Sequence, residues 1–594
     1  MIMYSLKAYY LLLGIVLLLL PFQVWHGAFA PTITGKVLFA AYTSISLIIA
    51  GGVILLFSKK KLAITFTDVS CVIYGLFLLL SIYAIKPVGI EPLKILEYTS
   101  LVFFYMIFRT INSKGLYIAG ISIIFATTLQ SVYGILQYGG FLTSHHDHLK
   151  VTGSFFNPGP YAGYIACTLP VLFGLLYIVK QKSVKILLLA GLVVIAAAIF
   201  TSGSRAALIG IITGIAWLLW RRHHRFLCDY WAGNKKTAVA IITVCFLLVI
   251  CSGTALYLAK KPSADGRVVI WRNTCSMIAD YPLGGVGIGR FKAHYMNYQA
   301  DYFERTMPEN IDKPADNSVY AFNEFLEVLT EQGIIGLLLL ISLFASVFVH
   351  TAKTRWKVDL ARSGLLCILV FACFSYPFDV LPIKVNIVFF LAVISSKQIP
   401  LYETTNRLAG LVILLLCCIL VFPVFRHVQS VAKTYTIWKE AFHSFSPGKQ
   451  EHCIDLCSGI SPILENNGVF QSMYGKMLTI SDRPSQALAV LKHAASLQPG
   501  SAVYMDMGDN YKKLGRFAEA EEAYKRAWLM IPSRIKPCSM LARLYIETGQ
   551  EDKAVVIIQE TLSRWKKRQH TMDSYGIQLE MEAMLRKINK EVTD

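Results

Sequence analysis

Charge is what this sequence has least of. Only 16% of its 594 residues are charged, 55% are apolar, and mean hydropathy is +0.52. A soluble chain of this length needs far more charge on its surface, so the expected class is a polytopic membrane protein. Acidic residues are the scarcer sign, 37 against 57 basic. The net charge of +20 does not point to nucleic acid, because much of the excess sits in short loops between apolar runs. The 13 cysteines contain no CxxC pair, and Cys453 and Cys457 at i, i+4 have nothing nearby to complete a metal site. That argues against a disulfide framework or a zinc module. His145, His146 and His148 find no ligand set beyond Asp147, so no metal is expected there. The glycine-rich Gly284–Gly289 follows no strand and lacks a Walker lysine, so it reads as a compact turn, not a nucleotide site.

What the chain does have is length of apolar sequence. Runs of spanning length fall near 8–25, 37–57, 69–86, 94–111, 115–136, 160–179, 184–200, 204–220, 237–259, 334–352, 363–380, 383–396 and 407–425, about thirteen helices. Ala28-Phe29-Ala30 resembles a signal-peptidase site, but Pro31 follows it, and the first run is read as a retained anchor. With the N-terminus in the cytoplasm, the inner loops collect Lys59 to Lys61, Arg109, Lys114, the Lys180–Lys185 group, Arg221 to Lys236, Lys353 to Arg362, Lys397 and Arg407. The outer loops hold only Lys36, Lys86, Lys94, Lys150, Arg205 and Lys384. The bias fixes the expected topology. It places Gly153–Pro160, Thr201–Arg205, the polar stretch 260–333 and Tyr376–Lys384 together on the outer side.

The composition turns soluble and helical after about residue 429, and a repeat appears. Gly475, Ala494 and Pro499 precede Gly508, Ala527 and Pro532 by 33 residues each, and Ala542, Tyr545, Gly549 and Ala554 follow Gly508, Tyr511, Gly515 and Ala520 by 34. This is tetratricopeptide spacing, a stack of helix pairs whose concave face suits a protein or peptide partner. The expected domains are therefore 1–428, a membrane domain with an outer loop at 260–333, and 429–594, a repeat domain on the same outer side. The fold class is all-α.

Chemistry is expected from four places. Arg205 interrupts an apolar stretch, and an arginine so close to hydrocarbon must be paired or reach water. Its planar fork suits phosphate oxygens, although a hairpin with a snorkelling arginine is the plainer reading. Arg267, with Trp271 one turn on, could equally be an interfacial anchor; Arg272 and Arg290 are further candidates. Glu324, Glu327 and Glu331 share one helical face and could pair with arginines or take a proton. Asn157, with Phe155 and Phe156, could line a lipid or sugar pocket.

In this order, Gly153-Ser154-Phe155-Phe156-Asn157-Pro158, Ser202-Gly203-Ser204-Arg205-Ala206-Ala207, Gly266-Arg267 with Trp271, Asp280–Gly287, and Asn323, Leu326, Glu331 and Gly333 resemble the O-antigen ligase/polymerase superfamily of bacterial envelope glycosyltransferases. The repeat tail resembles a subset of that superfamily common in Bacteroidetes-type envelopes. The resemblance implies transfer of a glycan from undecaprenyl diphosphate to an acceptor hydroxyl at the periplasmic face of the inner membrane, without metal or cofactor. The acceptor would be lipid A core for a ligase, another glycan repeat for a polymerase, or a protein hydroxyl for a protein O-oligosaccharyltransferase. Arg205 and Arg267 would bind the diphosphate, with Asn157, Arg272 and Asn323 as further substrate contacts. The family's histidine before the asparagine is Phe322 here, which cannot take a proton; Glu324 is the first substitute, then His294 and Glu327. The rival readings are a transporter or flippase and a non-catalytic assembly scaffold. A transporter should carry charges near the midplane, whereas these cluster at one interface.

Overall fold

The structure is a computed structural model that describes residues 2–57, 62–85, 89–233, 237, 261–306, 315–349, 355–404, 407–565 and 572–591. The ninth apolar run beyond Thr237 falls outside these residues, as do Lys59 to Lys61, Lys86, Lys235, Lys236, Lys260 and Lys353. The chain is all-α. Among the described residues the strands are Leu62–Ile64 and Tyr402–Thr404, which pair antiparallel with Ala63 opposite Glu403.

Two compact units are formed, and they do not follow chain order. One comprises Met1–Ala259, Phe322–Val328 and Ile334–Thr436; the other comprises Lys260–Ala321, Leu329–Gly333 and Ile437–Asp594. Among the described residues seven helices are long and apolar enough to cross a membrane: Ser5–Phe22, Pro31–Ile54, Phe66–Tyr83, Ser113–Tyr138, Pro158–Ile178 and Lys182–Ser202 in the first unit, and Glu324–Phe348, of which Leu329–Gly333 is assigned to the second. Other apolar runs fall on helices that carry charges within them, such as Pro92–Thr110 and Arg355–Ala372, or that are short, such as Leu381–Ser395. The chain is a multi-pass membrane protein.

Long-range contacts in this unit join segments far apart in the chain. The ribbon ties 62–64 to 402–404, and Arg221 lies 3.4 Å from Asp359, all segments expected on one side. Lys36 donates to the Ser154 carbonyl at 2.7 Å, and Lys94 pairs with Asp379 at 2.6 Å, all segments expected on the other. Local sequence sets the helix starts. Thr65 and Asp68 form a capping box, and the Asp68 carboxylate also receives Arg109 Nε and Nη2, each at 2.8 Å, and Tyr105 Oη at 2.6 Å. These donors satisfy a carboxylate that would otherwise be costly to bury inside an apolar bundle.

The second unit contains the repeats. Helices Gly468–Ile480 and Pro484–Leu497, Ser501–Lys513 and Phe517–Met530, and Lys536–Glu547 and Glu551–Trp565 form successive pairs. The small residues of the repeat mark the closest approaches. A Cβ on Gly508 would lie 2.4 Å from the Tyr524 ring, and Ala494, Ala520, Ala527, Ala542 and Ala554 are fully buried. The same unit holds the polar stretch expected as a loop. It folds as two helices, Lys261–Asp280 and Phe291–Thr306, joined by the glycine-rich turn. Met277, Phe291, Tyr295, Met296, Ala300 and Ala321 share one apolar cluster with Met530 and Ile531 of the repeats. Each of the Met, Phe and Ile side chains in it contributes about 1.5–3 kcal/mol when buried.

Candidate active site

In the membrane unit the sequence motifs are held by backbone hydrogen bonds to buried side chains. Asn157 caps the helix that begins at Pro158, its Oδ1 accepting the Gly159 N–H at 3.1 Å. The loop before it is locked by groups that the sequence reading missed. Gln137 Oε1 accepts the Thr152 and Gly153 N–H groups at 2.9 and 2.7 Å, and Gln130 Nε2 donates to Ser154 Oγ at 2.6 Å. Lys36 is 3% exposed and spends its ammonium on the carbonyls of Gln23, Thr32 and Ser154, with Phe155 lying 5.0 Å from it. No carboxylate among the described residues pairs with it. Its effect is to tie this loop to the helix Pro31–Phe57.

Arg205 is the first residue of the helix Arg205–Gly233, directly after a turn in which Gly203 takes φ +62°. Ser202 Oγ accepts the Ser204 N–H at 3.3 Å, and Ser204 Oγ accepts the Ala207 N–H at 3.4 Å, so the turn is self-capped. The Arg205 side chain is half-buried at a helix N-terminus, where the dipole adds positive potential to its own charge. That helix packs on the one that Asn157 caps.

Phe322 has φ +52°, a conformation that bulky residues adopt only under constraint. Its ring meets Tyr376 edge-on at 5.4 Å, and Tyr376 Oη also faces Gly159. Asn323 caps the next helix, Oδ1 accepting from Phe325 and Leu326 N–H at 3.1 and 3.2 Å. Glu324 is 3% exposed and accepts the Phe378 N–H. Asp379, one residue on, pairs with Lys94, which also meets Glu97, itself paired with Lys384 at 2.9 Å. The structure therefore gathers Asn157, Phe322, Asn323 and Glu324 around the turn Tyr376–Asp379, and Tyr376 is a residue no motif had flagged. Asn157 and Asn323 use only their oxygens as caps; no described residue accepts from either Nδ2, and both side chains are part-exposed.

In the second unit Arg267 lies half-buried in the first turns of the helix Lys261–Asp280. Trp271, one turn on, donates Nε1–H to the Ala321 carbonyl at 2.9 Å. Arg272 is exposed and stacks over Tyr302 at 5.0 Å. Five residues past Arg267, it stands about 140° round the helix, so the two do not share a face. Glu331, read with Glu324 as part of one acidic face, has a different task. Its oxygens accept the Gly289 and Phe291 N–H groups at 2.8 and 2.9 Å and cap the helix Phe291–Thr306.

The turn closes on a break in the following helix. Gly333 sits at φ +66°, and a Cβ there would lie 2.0 Å from the Leu283 carbonyl oxygen, so only glycine fits. At the break the Thr330 and Glu331 carbonyls accept the Val286 and Gly287 N–H groups at 2.8 and 2.9 Å. The expected compact turn is there, packed against this helix end. The histidine group stays separate: His148 N–H donates to His146 Nδ1, while burial and the nearby cations Lys36 and His26 hold the His145 imidazole below its usual range. No group of three or more His, Cys, Asp or Glu among the described residues could hold a metal ion.

Residues 190–341 match the O-antigen ligase family model, and residues 511–564 match a tetratricopeptide repeat model. The first match runs from before Arg205 to beyond Gly333; it includes neither Asn157 nor Tyr376. No curated protein matches the chain. Among solved structures, the crystal structure of MamA protein is 18% identical, covering 26% of this chain and 87% of its own, with a TM-score of 0.23. The yeast Tom70 crystal structure is 13% identical, covering 84% of this chain and 90% of its own, with a TM-score of 0.24. Multiple apolar helices together with the family match support a membrane glycan transferase of the ligase/polymerase type. More particularly, the chain carries an O-antigen ligase domain followed by a tetratricopeptide repeat.

Proposed function

We propose that this protein moves a glycan from undecaprenyl diphosphate to an acceptor hydroxyl on the periplasmic side of the bacterial inner membrane. Its repeat domain would stand on that same side, consistent with the bias of basic residues toward the opposite loops. The observation that carries the reading is the ligase-family match over 190–341, which includes both Arg205 and Arg267 in the order the motifs require. Each guanidinium is assigned to the donor's diphosphate. The acceptor oxygen attacks the anomeric carbon, the carbon–oxygen bond to phosphate breaks, and its electron pair leaves with the diphosphate. Fixed guanidiniums stabilise that departing charge.

The acceptor proton is assigned to Glu324. The Phe378 N–H holds this carboxylate in place beside Asn323, where the family's histidine is replaced by Phe322. Asn157 and Asn323 would offer their Nδ2 amides to sugar or phosphate oxygens, and Arg272 would meet a more peripheral part of the donor. Lipid A core is the proposed acceptor, and a surface polysaccharide ligase the proposed activity. The arginines supply the charge compensation, so chelation is expected to leave the rate unchanged.

Arg205→Ala and Arg267→Ala should each abolish surface glycan attachment while the protein still inserts in the membrane. Normal attachment in both variants would sink the assignment. A deletion strain analysed for lipid A-linked polysaccharide, chain-length distribution and glycosylated proteins tests the acceptor. Loss confined to chain length would make it a polymerase, and loss confined to protein glycans a protein O-oligosaccharyltransferase.

A further inference from the structure

We propose that the repeat domain holds a segment of its own chain, the helix Phe291–Thr306, and that Arg526, Asp301 and Gln299 are positioning residues for Arg267. The inference rests on Arg267 as a donor ligand, and it assigns the repeats a part in the reaction beyond recruiting a partner.

The grip is specific in its polar contacts. Arg526, on the repeat helix Phe517–Met530, places Nη1 2.6 Å from Asp301 and Nη2 3.2 Å from the Asn297 carbonyl and 3.3 Å from its Oδ1. The pair is part-exposed, at 25% and 44%, so by itself it contributes little and serves to set register. The buried contact is Gln299, 1% exposed. Its Nε2 donates to the Met530 carbonyl and, at 3.3 Å, to that of Asp316, while its Oε1 accepts from Tyr295 Oη at 2.7 Å. Tyr295, on the same helix, holds the amide oxygen and so aims Nε2 at the Met530 carbonyl across the contact, a bond that a shifted helix could not reproduce. Phe291, Met296 and Ala300 close the same contact against Met530 and Ile531.

From this gripped helix the path to Arg267 is short. The helix Lys261–Asp280 packs on Phe291–Thr306; Met277 enters the same cluster, Tyr298 Oη donates to Asp280, and Arg272 stacks on Tyr302. Trp271 then fixes the turn after Arg267 through the Ala321 carbonyl. A helix held at this many points has one position, and a guanidinium must be fixed to the scale of a hydrogen bond to serve a diphosphate.

The test uses the full-length protein in detergent with undecaprenyl diphosphate as the probe. Arg526→Asp and Asp301→Arg should each weaken its binding at least fivefold and speed amide exchange in Phe291–Thr306. The double swap should return both readouts to within twofold of the starting protein. Single variants that bind the probe normally, with or without faster exchange, overturn the proposal, and so does a double swap that recovers neither readout. Arg267→Ala separates the two layers. If it binds normally, the donor reading itself falls; if it binds weakly while the Arg526 and Asp301 variants bind normally, only the positioning role falls.

Discussion

Replacing Glu331 with glutamine separates a structural carboxylate from a catalytic one. The side chain is 9% exposed, and its two oxygens each accept a backbone N–H, from Gly289 and from Phe291. An amide keeps one acceptor and turns the other into an NH2 that faces an N–H donor. The loss is one charge-assisted hydrogen bond, about 1.5–3 kcal/mol, and a negative charge at a helix N-terminus, about 0.3–1 kcal/mol. Together the helix Phe291–Thr306 should open more easily by about 2–4 kcal/mol, a ~30-fold to ~1000-fold rise in its amide exchange. The assay is hydrogen exchange on the full-length protein, with glycan transfer measured in parallel. Exchange within threefold of the parent would refute the capping role. Abolished transfer with unchanged exchange would move the base from Glu324 to Glu331.

Gly333→Ala should be the more damaging change in the same place. The extended positive-φ backbone, at φ +66° and ψ −171°, costs a Cβ about 1–3 kcal/mol, and the Leu283 oxygen stands where that atom would go; protease sensitivity between 281 and 290 should rise sharply, and unchanged sensitivity would argue against the packed turn. In the repeats, burial is the main force that pushes the Asp506 carboxyl up to about 6, aided by Asp509 and opposed by Lys476 and Lys536. A folded-state pKa above the unfolded one favours the protonated form, so this stability is complete below about pH 4 and lost as pH rises through about 6. Asp506→Asn should therefore stabilise the repeats by about 2–3 kcal/mol at pH 8 and by nothing measurable at pH 4; equal melting shifts at both pH values would refute it.

Much of this architecture can be read from residue types alone. Apolar runs gave the spanning helices, and the spacing of Gly475, Gly508 and the alanines gave the repeat pairs, because both depend on local pattern. The helices inside the stretch 260–333 are not legible in the sequence for a physical reason. Its two helices are polar over most of their surface, and Phe291, Tyr295, Met296 and Ala300 acquire their apolar partners from Met530 and Ile531, more than 200 residues away. Lys36 shows the same limit. As a lone outer-loop charge it looked like a topology marker, yet its role comes from carbonyls at Gln23 and Ser154. Phe322 was flagged by its missing imidazole, but its left-handed backbone and its contact with Tyr376 are tertiary facts.

The motif residues divide by what their polar atoms are free to do. Asn157, Asn323 and Glu331 all spend oxygens on backbone N–H groups at helix starts, so their first contribution is to fix the chain. Glu331 has both oxygens committed in this way, whereas the asparagines retain an amide that no described residue engages. A cap that leaves its amide outward costs the fold nothing extra and presents a donor whose position is set by the helix it starts. Two such donors, with Tyr376 between their segments, suit a ligand of many weak acceptors such as a sugar. The strained Phe322 then has a physical purpose. Holding it in place orients Asn323 and Glu324 together, so relaxing that backbone should disturb acceptor activation before it disturbs diphosphate binding.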